Sequence, residues 1–333
     1  MPKPSLVTRE RLPVVIDVHL AEDDWRDAIR EDALVGLGST PKSMPPTWFY
    51  DERGSELFDE ITRLPEYYLT RAERSILAEN AGEIVAWAHA DTIVELGSGT
   101  SEKTRLILDA ANAEAPLQRF VPFDVSEGFL RTAAAALADS YPGMAVHAVV
   151  GDFHRHLRAI PGGGTRLFLF LGSTVGNFEA PKRAVFLQSL ADAMTTGDML
   201  LLGTDLRKDP RRLVAAYDDT RGVSADFNRN LLSVLNTTLG ADFDVAAYRH
   251  VARWNPDAGQ MEMSLTPVTA QTVRVRELDL TITFERDEEM LTEISAKFTP
   301  EQVRSELATA GLVIERTWLD SAGDFQLSLA RKP

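Results

Sequence analysis

The sequence has no cysteine among its 333 residues. This absence excludes disulfide bridges and thiolate metal sites, and it is typical of proteins from a reducing compartment. Basic residues are also scarce, with 35 lysines and arginines against 50 aspartates and glutamates, giving a net charge of −15. A field of this sign repels nucleic acids and anionic membrane surfaces. We therefore expect a cytoplasmic protein that binds neither nucleic acid nor a membrane.

Long hydrophobic runs are missing as well. The most apolar stretches, RLFLFLG and DMLLLG, are too short to cross a bilayer, and the charged N-terminal segment lacks the apolar region of a signal peptide. Nevertheless 44% of the residues are hydrophobic. This composition predicts a chain that buries a sizeable core of its own.

From Thr92 onward, short apolar runs alternate with amphipathic ones. Five runs read as buried strands: TIVELG, QRFVPFDV, MAVHAVVGDF, TRLFLFLGST and DMLLLGTDL. The intervening segments predict helices, the first from Ser101 to about Ala111 and the second capped by Ser126. Alternation of this kind predicts an α/β fold with a doubly wound parallel sheet of the Rossmann type.

The C-terminal segment predicts the end of that sheet. Thr299 and Pro300 open a capped helix, and VIERTWLD and DFQLSLARK read as two closing strands. Roughly 90 residues separate strand five from this helix, which is too many for an ordinary crossover. We therefore assign the chain as follows: 1–40, an N-terminal extension and helical segment associated with the substrate lobe; 41–207 plus 297–333, the domain of the large sheet; 208–296, an inserted α+β substrate lobe.

The turn in TIVELGSGTSEKTRLIL lacks the features of two common nucleotide sites. It has no GK[ST] for a P-loop, and Glu102 stands where a dinucleotide-binding GxGxxG turn has its third glycine. An acid at that place also repels a pyrophosphate. An E-x-G-x-G turn suits S-adenosylmethionine, which has a sulfonium and no phosphate. Gly97 and Gly99 allow close backbone approach, and Glu95 adds negative charge nearby.

Two further acids follow the next strands. Asp124 ends the second strand, where it can hold both ribose hydroxyls, and Asp152 ends the third, where it can accept from an adenine amino group while Phe153 flanks the ring. The alternative interpretation is that Asp124 and Asp152 only cap the helices that follow them. Three landmarks on three successive strands favour the cofactor site.

The segment after strand four, LGSTVGNF, narrows the choice of methyltransferase. It lacks the Asn/Asp-Pro-Pro-aromatic motif of DNA amino-methyltransferases and the acid of aminopropyl transferases. Asn177 stands there instead. An asparagine can hold an ammonium or a carboxylate group, but it is a poor base.

Several segments together resemble the histidine-specific Nα-methyltransferases of ergothioneine biosynthesis, a family with a class I methyltransferase sheet. They are TPKSMPPTWFYDERGSELFDEITRLPEYYLTRAE, VELGSGTSEKT, PFDVS, GDF, FLGSTVGNF, LLGTDLRKD, AYDD…GV…FNRN and EEMLTEISAKF. The resemblance extends over nearly the whole chain from about Thr40, including the inserted lobe. General methyltransferases do not share the lobe or the aromatic segment.

The resemblance implies that three methyl groups pass from S-adenosylmethionine to the α-amine of L-histidine, giving hercynine, without a metal. It implies catalytic roles for Tyr50, Asn177 and Glu293. On the substrate side it implies that Tyr67, Asn177 and Tyr217 hold the α-amino and carboxylate groups, that Glu293 and Ser295 bind the imidazole, that Tyr50 reaches the ring through water, and that Met263 lines the pocket. On the cofactor side it implies Gly97, Lys103, Asp124, Asp152 and Phe153. We expect a monomer.

Some alternatives stay open at this point. Glu293 and Ser295 lie two apart, so a strand would place both on one face, but an exposed edge strand with solvated side chains would show the same spacing. Tyr68 adjoins Tyr67 and could take its role, and Lys103 could lie on a solvated helix face. The rival functions are methylation of another amino acid or small amine, a non-catalytic module that binds the cofactor, and a dinucleotide-dependent oxidoreductase, which Glu102 disfavours.

Overall fold

The computed structural model describes residues 12–20, 22–99, 101–114, 117–153 and 155–333. The strands are β1 (Val14–Val18), β2 (Lys42–Ser43), β3 (Thr92–Leu96), β4 (Arg119–Asp124), β5 (Ala145–Val150), β6 (Arg166–Phe170), β7 (Met199–Asp205), β8 (Tyr248–Asn255), β9 (Gln260–Pro267), β10 (Gln271–Val275), β11 (Leu280–Phe284), β12 (Met290–Ala296), β13 (Val313–Leu319) and β14 (Phe325–Arg331). The helices are α1 (Glu22–Gly38), α2 (Glu52–Thr62), α3 (Leu69–Ala88), α4 (Thr104–Glu114), α5 (Glu127–Ser140), α6 (Ala180–Ala193), α7 (Pro210–Tyr217), α8 (Val223–Leu239) and α9 (Pro300–Thr309).

The large sheet has the order β1-β5-β4-β3-β6-β7-β14-β13. Strands β1 and β3 to β7 are parallel, β14 runs antiparallel to β7, and β13 runs antiparallel to β14. Helices α3, α4 and α5 pack on one face, and α6 and α9 pack on the other. This arrangement confirms the prediction of a doubly wound sheet of the Rossmann type. The strand order reverses between β3 and β6, so a ligand crevice is expected at their carboxyl ends.

The first strand was not among the elements that the sequence predicted. β1 pairs in parallel with β5 at the edge of the large sheet. The helix that follows contacts the lobe instead, because Arg26 and Arg30 of α1 pair with Glu277. The described part of 1–40 therefore contacts both the large sheet, through β1, and the lobe, through α1.

The inserted segment forms two small sheets, one of which includes a strand from outside the insertion. The insertion begins with helices α7 and α8, and its strands β8, β9 and β12 join β2 in the order β2-β12-β9-β8, with β10 and β11 paired separately. The two ends of the insertion meet at the large sheet, since the Phe298 N–H donates to the Asp205 carbonyl at 2.9 Å and the Arg207 N–H donates to the Phe298 carbonyl at 2.9 Å. The lobe is thus attached directly at the carboxyl end of β7.

Three predicted helix starts can be compared with the structure, and the comparison confirms one of them and shows differences at the other two. The Thr299 hydroxyl accepts from the Gln302 N–H at 3.2 Å, so the predicted cap is confirmed. Ser126 occupies the N-cap position of α5, but its side chain makes no capping hydrogen bond. Helix α4 begins at Thr104 rather than Ser101, because Ser101 is in the left-handed region with φ of 52°. No described helix has the length and apolar character needed to span a bilayer.

A 3₁₀ turn, Thr174–Asn177, follows β6 and packs between the large sheet and the lobe. Ser173 precedes it in the left-handed region, and the Ser173 hydroxyl accepts from the Asp205 N–H at 2.9 Å. The turn lies directly against β12: a Cβ added at Gly176 would meet the Ala296 carbonyl oxygen at 2.8 Å. Only glycine permits this approach, which brings Asn177 to the strand that contains Glu293 and Ser295.

We therefore expect Gly176→Ala to separate the turn from β12 and to lower the free energy of unfolding by about 1–3 kcal/mol, the usual cost of overpacking. Denaturant titration measures this change. Gly82→Ala is the matched control because nothing lies within 4 Å of a Cβ at this helical position. It should stabilise the fold by up to about 1 kcal/mol. Equal effects of the two substitutions would contradict the tight contact at Gly176.

Candidate active site

The glycine turn after β3 is organised by the Glu95 carboxylate. This side chain is buried and accepts hydrogen bonds from the hydroxyls of Ser98 at 3.0 Å, Ser101 at 2.8 Å and Thr104. Burial raises the pKa of Glu95 to about 7, and the three hydroxyls oppose that shift. The Glu95 carboxylate therefore holds the glycine turn in place through hydrogen bonds. The sequence analysis had considered only the negative charge that Glu95 adds nearby.

The two glycines of the turn fit a ligand that lies on the backbone. Gly97 and Gly99 have φ of 71° and 48°, a region that favours glycine. A Cβ at either position would meet no atom within 4 Å, so the space above both glycines is open. A nucleoside could therefore approach the main chain here.

Asp124 joins this turn to the end of β4. Its carboxylate accepts from the Gly99 N–H at 2.9 Å and from the Ser126 N–H at 3.0 Å. Burial raises the pKa of Asp124, and the backbone donors oppose that shift. Asp124 is thus more than a cap for α5, because one of its oxygens holds the glycine turn.

Asp152 and Phe153 follow β5 at the same edge of the sheet. Both are half-buried, and the Asp152 N–H donates to His156 Nδ1 at 3.1 Å. The Phe153 ring contacts Phe170, Phe178 and Phe186, with centroid distances of 5.8, 6.1 and 5.7 Å. These contacts fix one side of the Phe153 ring within the core.

Lys103 is held by a buried partner that the sequence analysis missed. Its ammonium pairs with Glu73 of α3, which is fully buried and also accepts from the Gly172 N–H at 2.8 Å. This pairing rules out a solvated helix face for Lys103 and places its charge between the glycine turn and the end of β6. A single glutamate within the apolar stripe of α3 was the available signal.

On the lobe side, a buried network surrounds the Lys297 ammonium. It donates to the Tyr217 hydroxyl at 2.8 Å and to the Ser295 hydroxyl at 2.9 Å, and it pairs with Asp205 at 2.9 Å. The Tyr217 hydroxyl in turn donates to the Ser295 hydroxyl at 2.8 Å. Lys297 and Asp205 are fully buried, so the alternative of a solvated edge strand with an exposed Lys297 is wrong.

Glu293 lies on the same strand and is half-buried. Burial raises the pKa of its carboxyl to about 7, while the charge of Lys297 opposes the shift. Met263 is the strand partner of Glu293 on β9, and it is buried. Among the described residues, no hydrogen bond is found to the Glu293 carboxylate or to the Asn177 side-chain amide. Their polar groups are therefore open to a ligand.

An aromatic group closes the other side of this site. The centroid of the Tyr67 ring lies 6.3 Å from that of Tyr217 and 6.2 Å from that of Phe58. The centroid of the Tyr50 ring lies 5.6 Å from those of Phe58 and Phe227. Burial raises the pKa of the Tyr67 and Tyr217 hydroxyls, so they stay protonated at neutral pH, whereas Tyr50 lies at the exposed edge of the group.

The structure also separates Tyr67 from Tyr68. The Tyr68 hydroxyl donates to the Asp205 carboxylate at 2.8 Å and accepts from Lys208 at 2.7 Å. It is therefore occupied by the buried network, whereas the Tyr67 ring faces Tyr217. This arrangement favours Tyr67 over Tyr68 as the residue beside the ligand.

A doubly wound sheet, an E-x-G-x-G turn, an acid at the end of the second strand and an asparagine after the fourth define the class of S-adenosylmethionine-dependent methyltransferases. Residues 29–332 match the model of the family described as histidine-specific, S-adenosylmethionine-dependent methyltransferases. The chain belongs to this family.

Several relatives are similar along the chain. The histidine N-alpha-methyltransferase of Mycolicibacterium smegmatis is 58% identical over 94% of this chain and 97% of its own length. That of Mycobacterium tuberculosis is 58% identical over 94% of this chain and 98% of its own. Ergothioneine biosynthesis protein 1 of Schizosaccharomyces pombe is 32% identical over 65% of this chain and 30% of its own length.

Asp124→Ala provides a test of the cofactor side. We expect the dissociation constant for S-adenosylhomocysteine to rise at least tenfold, because the change removes a carboxylate acceptor worth about 1.5–3 kcal/mol and frees the Gly99 N–H. Isothermal titration calorimetry measures the binding. Asp192→Ala, an exposed acid on α6, is the control and should bind normally. Unchanged binding in Asp124→Ala would remove Asp124 from the site.

Proposed function

We propose that this chain transfers three methyl groups from S-adenosylmethionine to the α-amine of L-histidine and so forms hercynine, a step of ergothioneine biosynthesis. The observation that carries this proposal is the open Glu293 carboxylate beside the Ser295 hydroxyl, since a carboxylate and a hydroxyl can bind the two nitrogens of one imidazole ring. The family and the two bacterial relatives at 58% identity support it.

The proposed substrate contacts divide between the two parts of the site. Glu293 and Ser295 bind the ring, Met263 lines the ring pocket, and Tyr50 reaches the ring through water. Asn177, Tyr67 and Tyr217 hold the α-amino and carboxylate groups. A site that pairs both ring nitrogens rejects apolar analogues strongly, because its buried polar groups would be left without partners.

The proposed cofactor contacts are Gly97, Lys103, Asp124, Asp152 and Phe153. When bound, S-adenosylmethionine supplies an electrophilic methyl group on a sulfonium. The residues of the chain have to align the amine lone pair with that methyl and exclude competing water. Asn177 suits this task because its amide can orient an amine without charge.

One proton must leave the amine for each methyl group transferred. The Tyr67 and Tyr217 hydroxyls are protonated at neutral pH because their pKa values are raised, so we infer that they orient the neutral amine and do not act as phenolate bases.

We propose that 208–296 acts as the substrate lobe, with 1–40 associated with it, and that 41–207 plus 297–333 binds the cofactor. The attachment of the lobe at the carboxyl end of β7 supports this division. A monomeric, cytoplasmic enzyme is consistent with the absence of cysteine and with the acidic charge.

The reaction is tested by mass spectrometry of L-histidine incubated with the purified protein and S-adenosylmethionine, with lysine, tryptophan and histamine in parallel. We expect histidine to gain three methyl groups and histamine to stay unmodified, because histamine lacks the carboxylate that Asn177, Tyr67 and Tyr217 would hold. Methylation of another amine in place of histidine would transfer the proposal to that substrate. Cofactor binding without any product would favour a non-catalytic module.

Glu293→Ala tests the ring contact. The KM for histidine should rise by about tenfold to a hundredfold, since a charged hydrogen bond is worth about 1.5–3 kcal/mol, while cofactor binding stays the same. Steady-state kinetics and calorimetry separate the two effects. Glu289→Ala is the matched control, because Glu289 is a nearby surface residue paired with Arg253. A histidine KM equal to that of the control would exclude Glu293 from the substrate site.

A further inference from the structure

The Ser295 hydroxyl has only one way left to contact a ligand. A hydroxyl oxygen has two lone pairs and one proton. Ser295 accepts from the Tyr217 hydroxyl at 2.8 Å and from the Lys297 ammonium at 2.9 Å. With the Tyr217 proton directed to Ser295, both lone pairs are occupied, and Ser295 then meets a ligand as a hydrogen-bond donor.

Lys297 occupies one lone pair of Ser295 and one of Tyr217, and the Tyr217 proton occupies the second lone pair of Ser295. An ammonium group has three protons and accepts no hydrogen bond. All three protons of Lys297 are in use, toward Asp205, Tyr217 and Ser295, at 2.9, 2.8 and 2.9 Å. Lys297 is fully buried, so water cannot replace these partners. Asp205 keeps the ammonium in place and is itself held by the Tyr68 hydroxyl at 2.8 Å.

A fixed donor distinguishes the protonation states of an imidazole ring. The neutral ring has one N–H donor and one acceptor nitrogen, whereas the imidazolium has two donors. The Glu293 carboxylate can accept from the N–H, and Ser295 then requires the acceptor nitrogen. We propose that Asp205 and Lys297 are positioning residues that hold Ser295 as a donor, and that the site thereby selects the neutral imidazole over the imidazolium. This inference rests on the proposed binding of the ring by Glu293 and Ser295.

Several titratable groups face this part of the site and have to be separated from the ring. They come from every element around it: Asp205 of β7, Lys208 after it, Tyr217 of α7, Glu293 of β12, Tyr67 and Tyr68 before α3, and Tyr50 before α2. Their titration changes the binding of either ring, and the Glu293 carboxylate also attracts an imidazolium, which opposes the selection proposed for Ser295. Two substrates that differ only in ring basicity therefore isolate the ring itself.

The experiment compares L-histidine with its analogue in which 1,2,4-triazole replaces imidazole. The triazole ring has both an N–H and an acceptor nitrogen, and it stays neutral between pH 6 and 8. The α-amine must lose its proton in both substrates. For the unaltered protein, the ratio of kcat/KM for the triazole to kcat/KM for histidine should rise about fourfold from pH 8 to pH 6, because a ring with a pKa of about 6.5 is only about one quarter neutral at pH 6.

Two variants test the positioning role. Lys297→Met removes the ammonium that donates to Ser295, and Asp205 keeps Lys208 as its partner, so no buried charge is left unpaired. Ser295→Ala leaves Lys297 and Asp205 in place and removes the donor. In each variant the ratio of the two kcat/KM values should rise less than about twofold from pH 8 to pH 6, because the site no longer excludes the imidazolium. Binding affinities from calorimetry replace kcat/KM for a variant too slow to assay, and Ser295→Ala remains a test if the Lys297→Met protein folds poorly.

Lys208→Met is the matched control. Lys208 is a second ammonium on the same Asp205, but it has no hydrogen bond to Ser295 among the described residues. The control should keep the fourfold rise. A flat ratio in the unaltered protein, an unchanged rise in either test variant, or a loss of the rise in Lys208→Met would each overturn the inference. Failure of the proposed function is a different result, namely no methylated histidine at any pH.

Discussion

The buried carboxylate of Asp205 holds the two halves of this protein together. It lies at the carboxyl end of β7, where it pairs with Lys208, the first residue of the lobe, and with Lys297, the residue that directly follows the lobe. The backbone of the same residue bonds to Phe298 and to the hydroxyl of Ser173. A buried charge is tolerated only when it is fully paired, so the strand of the large sheet, the 3₁₀ turn and β12 have to meet at one point. The site exists because these three elements converge there.

Much of the fold could be predicted from the sequence, because its signals are local. The apolar runs of β3, β6 and β7 and the cap at Thr299 depend on neighbouring residues, and the structure confirms them. The edge strand β1 could not be predicted, since its few residues resemble an extension and only the pairing with β5 defines them as a strand. The predicted start of α4 at Ser101 is wrong because the Ser101 hydroxyl bonds to the carboxylate of Glu95. Local helix propensity does not reveal a contact of this kind.

The residues of the candidate site also fall into a group that the sequence could predict and a group that it could not. The residues on the glycine turn and at the strand ends could be proposed from position alone, because parallel strands end at one edge of a sheet. The partners that hold those residues could not. Glu73 and Lys297 come from distant parts of the chain; the apolar stripe of α3 shows that Glu73 is buried but not which residue it pairs with, and Lys297 looks like an ordinary surface charge until the fold buries it. Long-range pairing of this kind leaves no periodic trace in a sequence.

The irregularity of β12 has a consequence for how such a site can change. A β-bulge lies between Leu291 and Glu293, upstream of the polar positions of the strand. Because successive side chains alternate between two faces, the backbone at this bulge decides whether acidic and hydroxyl groups or aliphatic ones point toward the ligand. Gaining or losing one residue there would exchange the whole face at once. The ligand preference of this lobe therefore depends on which residues of β12 face the ligand, as well as on the identity of its side chains.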